Sequence, residues 1–262
     1  MAAVDKVELL EHAVKLAQTA GEIHMRQFRD QNLSTRNKLN DSDIVTAVDI
    51  ASEKAIIDGI RTAYPDHSIL SEESGETITD SEYEWVIDPL DGTTNYRAGL
   101  PVFSVSIGIK HRGETVVGVV FAPYLREMYV AVKGWGAFLN GTPIRVSRNT
   151  ELSKAVVGTG FPVDKMNTTD NNIDNFSSVL PVVRDVRRIG SAAMDICYVA
   201  AGVLDAFWEL NLHEWDVCAG LLIASEAGAE YEYFRNDRNV SVVVGSPVMK
   251  NAILQLLSRQ PG

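Results

Sequence analysis

Cysteine is scarce: only Cys197 and Cys218 occur in 262 residues. Both fall in stretches of helical character and read most simply as small apolar residues. With no disulfide framework to build, a reducing cytoplasm is the expected location. Long apolar runs are missing, and none approaches the roughly 20 residues needed to cross a bilayer, so no membrane contact is expected. The first residues, Met1-Ala2-Ala3-Val4-Asp5-Lys6, lack the charged-then-apolar order of a secretory leader. Basic residues are outnumbered, 24 against 35 acidic ones, for a net charge of −11. That deficit disfavours nucleic acid and anionic lipid as partners, since both require basic surface. A small anionic substrate stays compatible, because a bound cation inverts the local field. Internal repeats and low-complexity segments are absent too. What is present, 45% hydrophobic and 23% charged residues, is ordinary globular composition. The length suits one large domain or two tightly joined halves.

The chain's organisation is α/β. Apolar residues at helical spacing (Val7, Leu10, Val14, Ala17, Ala20, Ile23) predict a helix over residues 4–28. A polar loop over 29–40 follows, then Asp41-Ser42-Asp43 as N-cap candidates for a helix reaching residue 63. A short strand at 68–70 precedes Glu72-Glu73. Strands over 103–110, 115–122, 127–133 and 137–139 are joined by short turns, as in antiparallel hairpins. From residue 149 onward strands and helices alternate: strands 155–158, 185–189, 204–210, 229–234 and 240–244, with helices 191–201, 216–227 and 247–258. The polar stretch 164–175 reads as a surface loop. Residues 1–148 and 149–262 thus differ in pattern, and are expected to form two halves of one compact unit.

The most informative stretch is Trp85-Val86-Ile87-Asp88-Pro89-Leu90-Asp91-Gly92-Thr93-Thr94-Asn95. An apolar run ends in one carboxylate, a proline stops it, and a second carboxylate stands three residues on. Open α/β folds place ligands at such strand ends. Two carboxylates this close repel unless a cation lies between them. On local evidence a Pro and Asp-Gly turn accounts for the stretch equally well. Three other places carry acidic groups: Glu72-Glu73 just past a strand, Trp215-Asp216 at a helix start, and Asp43-Ile44-Val45-Thr46 with Asp49. Taken singly these read as a solvated loop, an N-cap and a solvent-facing helix residue.

Together the four segments resemble the inositol monophosphatase family of magnesium-dependent, lithium-sensitive phosphatases, in order and over nearly the whole chain. Glu72-Glu73-Ser74 matches the family's acidic pair, residues 88–95 its central signature, residues 215–220 its C-terminal signature, and Asp43 to Thr46 with Asp49 its N-terminal segment. Leu90 replaces the usual isoleucine, and Ser191 a common threonine with its hydroxyl kept. The resemblance implies a layered αβαβα fold and a homodimer. It implies that Glu72, Asp88 and the Leu90 carbonyl bind one Mg²⁺, that Asp88, Asp91 and Asp216 bind a second, and that Glu72 with solvent offers a looser third site, with Mn²⁺ as a substitute. All these ligands are oxygens, which suits hard cations and disfavours zinc. Glu72, Asp49 and Thr93 take the catalytic roles, the Thr93 hydroxyl receiving a proton from a metal-activated water while Asp49 polarises it.

The same resemblance assigns the substrate to Asp91, Gly92, Thr93, Gly190, Ser191, Ala192, Glu209 and Asp216. Glu209 follows Ala206-Phe207-Trp208, and a strand-end charge in water explains it equally well. The expected substrate is a small phosphorylated polyol, myo-inositol monophosphate first. Fructose 1,6-bisphosphate, adenosine 3′,5′-bisphosphate and NADP are the alternatives. Arg184, Arg187 and Arg188 could serve a second phosphate, although an alternating strand with Arg187 or Arg188 facing solvent accounts for them slightly better. A metal-binding or regulatory protein without catalysis is the remaining class. It would be expected to lack a ligand or the Thr93–Asp49 pair, and this sequence keeps them all.

Overall fold

The computed structural model describes residues 5–30, 35–37 and 44–257. Helix α1 (Lys6–Gln27) is capped by the Asp5 carboxylate, which accepts the Val7 amide at 3.0 Å. Strands β1 (Thr35–Asn37) and β2 (Ile44–Thr46) pair antiparallel and lead into α2 (Ala47–Ala63). The second helix therefore starts later than its sequence suggests, because Ile44-Val45-Thr46 is a run of β-branched residues that favours extended backbone. The cap candidates Asp41, Ser42 and Asp43 lie outside the described residues.

Strands β3 (Ser68–Ser71), β4 (Gly75–Thr77), β5 (Tyr83–Asp91), β6 (Ser104–His111), β7 (Glu114–Ala122), β8 (Glu127–Val132), β9 (Gly136–Leu139) and β10 (Thr142–Pro143) form an eight-stranded sheet. Its order is β10-β9-β8-β7-β6-β5-β3-β4, with β3 and β5 parallel and the other pairs antiparallel. The short helix α3 (Thr93–Ala98) follows β5. The later chain gives β11 (Val156–Thr159), α4 (Ile173–Val179), β12 (Asp185–Arg187), α5 (Ala192–Ala200), β13 (Ala206–Leu212), α6 (Glu214–Glu226), β14 (Glu230–Arg235), β15 (Val240–Gly245) and α7 (Pro247–Leu257). The five strands among these make a second sheet, β12-β11-β13-β15-β14. Helix α4 begins inside the stretch 164–175 that reads as loop. Its apolar residues, Ile173, Phe176 and Val179, follow helical spacing only from residue 173 on.

Strand alternation assigns each face its layer. On one face of the large sheet, Trp85, Ile87, Val105, Ile107, Ile109, Val117 and Val119 pack against Leu9, Leu16, Ile56 and Ile60 of α1 and α2. The opposite face meets α5 and α6, whose far side packs on Phe207, Val242 and Val244 of the second sheet. The outward residues of that sheet, Trp208 and Val243, pack with Val179, Met249 and Ile253 of α4 and α7. The layers are therefore αβαβα. Helix α6 lies close against the large sheet because Gly108 and Gly118 face each other in register. A Cβ on Gly118 would sit 2.7 Å from the Ala219 carbonyl, and one on Gly108 would collide with Cys218 Sγ. That close approach carries the N-terminus of α6, with Asp216, to the end of β5.

Candidate active site and metal centre

Strand β5 does not stop at Pro89. It continues to Asp91, with Asp88 opposite Ser106 and Asp91 opposite Ser104, so Pro89 and Leu90 together face the single residue Val105. Proline is tolerated here because a bulge interrupts the ladder that its missing N–H would break. The bulge also brings two carboxylates that would otherwise point to opposite faces to one place. Carboxylate oxygens of Asp88, Asp91 and Asp216 lie within 4.8 Å of one another. Asp216 is the third residue of α6 rather than its N-cap; His213 caps the helix, and Asp216 Oδ2 turns back to accept the His213 amide at 2.6 Å.

Burial pushes the Asp88 carboxyl well above the usual carboxylate range, and the charges of Glu72, Asp91 and Asp216 raise it further. Its carboxyl also shares a hydrogen bond with Glu72. Asp216 is raised by burial and then by Asp91 and Glu72. Asp91 is pushed up to about 6 by burial, an effect opposed by hydrogen bonds from Ser191 and from the Ala193 amide, which reaches Oδ2 at 3.0 Å. Converging buried carboxylates of hard oxygen character fit a divalent cation such as Mg²⁺, which would offset their repulsion.

Thr93 opens α3 beside this cluster. Its hydroxyl is 3.1 Å from Asp49 Oδ1 and 3.0 Å from the Leu90 carbonyl. Asp49 is fully buried in the first turn of α2, not solvent-facing. Gly92 caps α3 in the left-handed conformation, at φ 89°. Asn95 ties the second half to this motif: its Nδ2 donates to the carbonyls of Val102 and Ile189, each at 2.8 Å. Gly190, Ser191 and Ala192 are thereby held beside Asp91. The Ser191 hydroxyl donates to Asp91 Oδ2 and accepts the Met194 amide, so it positions a carboxylate.

Glu209 is a mid-strand residue of β13, at a register shift between Glu209 and Leu212. A cavity of about 470 Å³ is lined by Glu72, Asp216, Glu209, Phe161, His213 and Trp215. Burial pushes Glu209 up to about 8, opposed by the positive charge of Arg188. Its carboxylate lies where a Cβ on Gly160 would stand, so only glycine at 160 admits it. Among the arginines before Gly190, Arg187 pairs with Asp185 at 2.5 Å and is exposed. Arg188, also exposed, carries its guanidinium over Gly190 toward Glu209 and Asp195.

Sequence reasoning missed Asn95 in this role, and it missed His24. The His24 ring is fully buried in α1, its Nε2 lies 2.9 Å from the Pro89 carbonyl, and burial lowers its pKa to about 3. A polar residue on the buried face of α1, within the stripe Ala17, Ala20 and Ile23, was the one available signal.

The sequence model of the Inositol monophosphatase family matches residues 5–260. The chain belongs to the inositol monophosphatase family. That family is one of metal-dependent phosphatases. "Nus factor SuhB" of Pasteurella multocida is 45% identical over 222 residues, 84% of this chain and 83% of that one. The crystal structure of extragenic suppressor protein suhB from Bartonella henselae superposes with a TM-score of 0.89 at 33% identity, covering 97% of this chain and 100% of that one. Inositol monophosphatase from Anabaena gives 0.87 at 36% identity, covering 97% and 96%. Among the described residues no helix is long and apolar enough to cross a membrane.

Proposed function

We propose that this phosphatase hydrolyses phosphomonoesters of small polyols, myo-inositol monophosphate first, with Mg²⁺. The observation that carries the reading is the Thr93 hydroxyl bonded to Asp49 at 3.1 Å, at the edge of the carboxylate cluster. Asp88, Asp91, Asp216, Glu72 and the Leu90 carbonyl would hold the cations, two to three in number. When bound, such cations polarise the phosphoryl group and make water a better nucleophile at neutral pH. Thr93 Oγ1 takes a proton from the attacking water and Asp49 receives the hydroxyl's own, a relay that needs both at hydrogen-bond distance. The amides of Gly92 and Thr93 orient the phosphate, and Asp91 and Glu209 accept hydrogen bonds from the polyol hydroxyls.

Arg188 is directed toward Glu209 and Asp195, and its charge opposes the burial that raises both carboxyls. An arginine already engaged with two acidic groups supports a neutral polyol ring over a second phosphate and sets the bisphosphate alternatives behind inositol phosphate. Phosphate release from inositol 1-phosphate, fructose 1,6-bisphosphate, adenosine 3′,5′-bisphosphate and NADP at millimolar Mg²⁺ tests this order. A bisphosphate turned over with higher kcat/KM reverses it.

The name Nus factor borne by the Pasteurella multocida relative suggests association with RNA polymerase and nucleic acid, and so counts against the expectation of no nucleic-acid partner. With a net charge of −11, we propose that any such role in this chain runs through protein contacts rather than direct phosphate-backbone binding. A gel-shift titration with RNA at 50 mM salt checks this: binding at submicromolar protein contradicts it.

A further inference from the structure

We propose that His24 is a positioning residue that holds the metal-binding bulge of β5 in shape through a single peptide plane. The inference rests on the reading above that Asp88 and the Leu90 carbonyl bind a divalent cation.

The peptide joining Pro89 to Leu90 is one rigid unit. Its carbonyl accepts from His24 Nε2 at 2.9 Å, and its N–H donates to Asp88 Oδ1 at 2.9 Å. A carbonyl only accepts, so Nε2 carries the hydrogen. Nδ1 is then an acceptor, and it is buried with no hydrogen-bond partner. The residue accepts that cost on one nitrogen while the other holds the bulge. Bulged residues leave the regular ladder, and a buried carbonyl left without a donor is costly. His24 supplies the missing donor from a different layer of the fold.

The ring is itself fixed on several sides. Tyr96 Oη donates to the His24 carbonyl at 2.6 Å, and the Tyr96 and Phe103 rings stand edge-on to the imidazole with centroids 6.0 and 5.9 Å away. Tyr96, Phe103 and Leu90 share one small buried cluster. Helix α1, helix α3 and strand β5 therefore meet at His24, and rotating the Pro89–Leu90 plane would break bonds at both of its ends. The oxygen on the far side of that plane belongs to Asp88. An aliphatic residue at position 24 would fill the space and leave Asp88 free to turn. Residues that orient a metal ligand typically alter metal affinity 10–100-fold.

The test is Mn²⁺ binding followed by electron paramagnetic resonance of the free ion, on the full chain as wild type, His24→Leu and His24→Gln. His24→Leu weakens Mn²⁺ binding about tenfold, and His24→Gln, whose amide keeps a donor, recovers most of the loss. Binding by His24→Leu within twofold of wild type overturns the proposal. So does a His24→Gln affinity no better than that of His24→Leu, which would mean that the ring only fills space. Wild type that binds no Mn²⁺ sinks the metal reading itself, a separate result. Should His24→Leu fail to fold, histidine-labelled wild type decides: its ¹⁵N spectrum shows a neutral Nε2–H tautomer whose resonance moves on Mg²⁺ addition, and an unmoved resonance overturns the proposal.

Discussion

Two bulged strands bring carboxylates within electrostatic reach of each other, Asp88 and Asp91 from β5 and Glu209 from β13, in different surroundings. In β5 the register shift at Asp88–Asp91 gathers acids, with Glu72, Asp91 and Asp216 all raising Asp88. In β13 the shift beyond Glu209 presents one acid of the strand, raised by burial and partly opposed by Arg188, with Asp195 nearby. The backbone device is the same; the charge around it differs. Mutually repelling acids call for a cation, whereas an acid already facing a cation is suited to accept hydrogen bonds from neutral hydroxyls. A bulge thus fixes where a carboxylate goes, and its neighbours fix what it does there.

The largest effect that separates the two strands is expected from Asp91→Asn. Turnover falls at least about a thousandfold as the cation cluster loses a ligand, while melting temperature in EDTA stays equal or rises because a repelling charge is gone. Near-normal activity would remove Asp91 from the metal end. Next is Thr93→Val, which keeps the shape and removes the proton relay. Its kcat falls about a hundredfold with Mg²⁺ half-activation unchanged; a parallel loss of metal affinity would make Thr93 structural. At the other strand, Glu209→Ala lowers kcat/KM for inositol 1-phosphate about tenfold more than for a small aryl phosphate, the scale of one lost polar contact. Equal losses on both substrates would merge the two strands into one function.

The smallest effect is on stability against pH. Asp91 is raised to about 6 and Glu209 to about 8, both above the ordinary carboxylate values. The folded state therefore keeps protons that the unfolded chain has released, so this contribution is full below about pH 4 and is lost as pH rises through the two raised values. In EDTA the melting temperature should fall by a few degrees between about pH 5 and 9, and Glu209→Gln should remove the upper part of the fall. A rise over that range would contradict the assigned shifts.

Much of the carboxylate cluster is legible in the sequence because β5 carries two of its three acids within four residues. The αβαβα layers also follow from pattern and resemblance. Pro89 inside a strand is not legible, since the bulge exists only against Val105 of β6. Asp216 reads as an N-cap until the register of α6 is known, because an acid at a helix start also fits the third position, where its carboxylate reaches back to the cap residue's own amide. Glu209 has a meaning only once Gly160 and Arg188 stand beside it, and these are far from it in the chain. His24 and Asn95 act on backbone carbonyls of other segments, a use that no local spacing announces.

The most direct test of the central claim, that the Asp88–Asp91–Asp216 cluster holds the cation for phosphomonoester hydrolysis, is phosphate release from inositol 1-phosphate across a Mg²⁺ titration of EDTA-stripped protein. Turnover should be absent without metal and rise to saturation in the millimolar range, and Asp91→Asn should lose that activation. Undiminished release in EDTA, or no release from any monoester at saturating Mg²⁺, would contradict that claim.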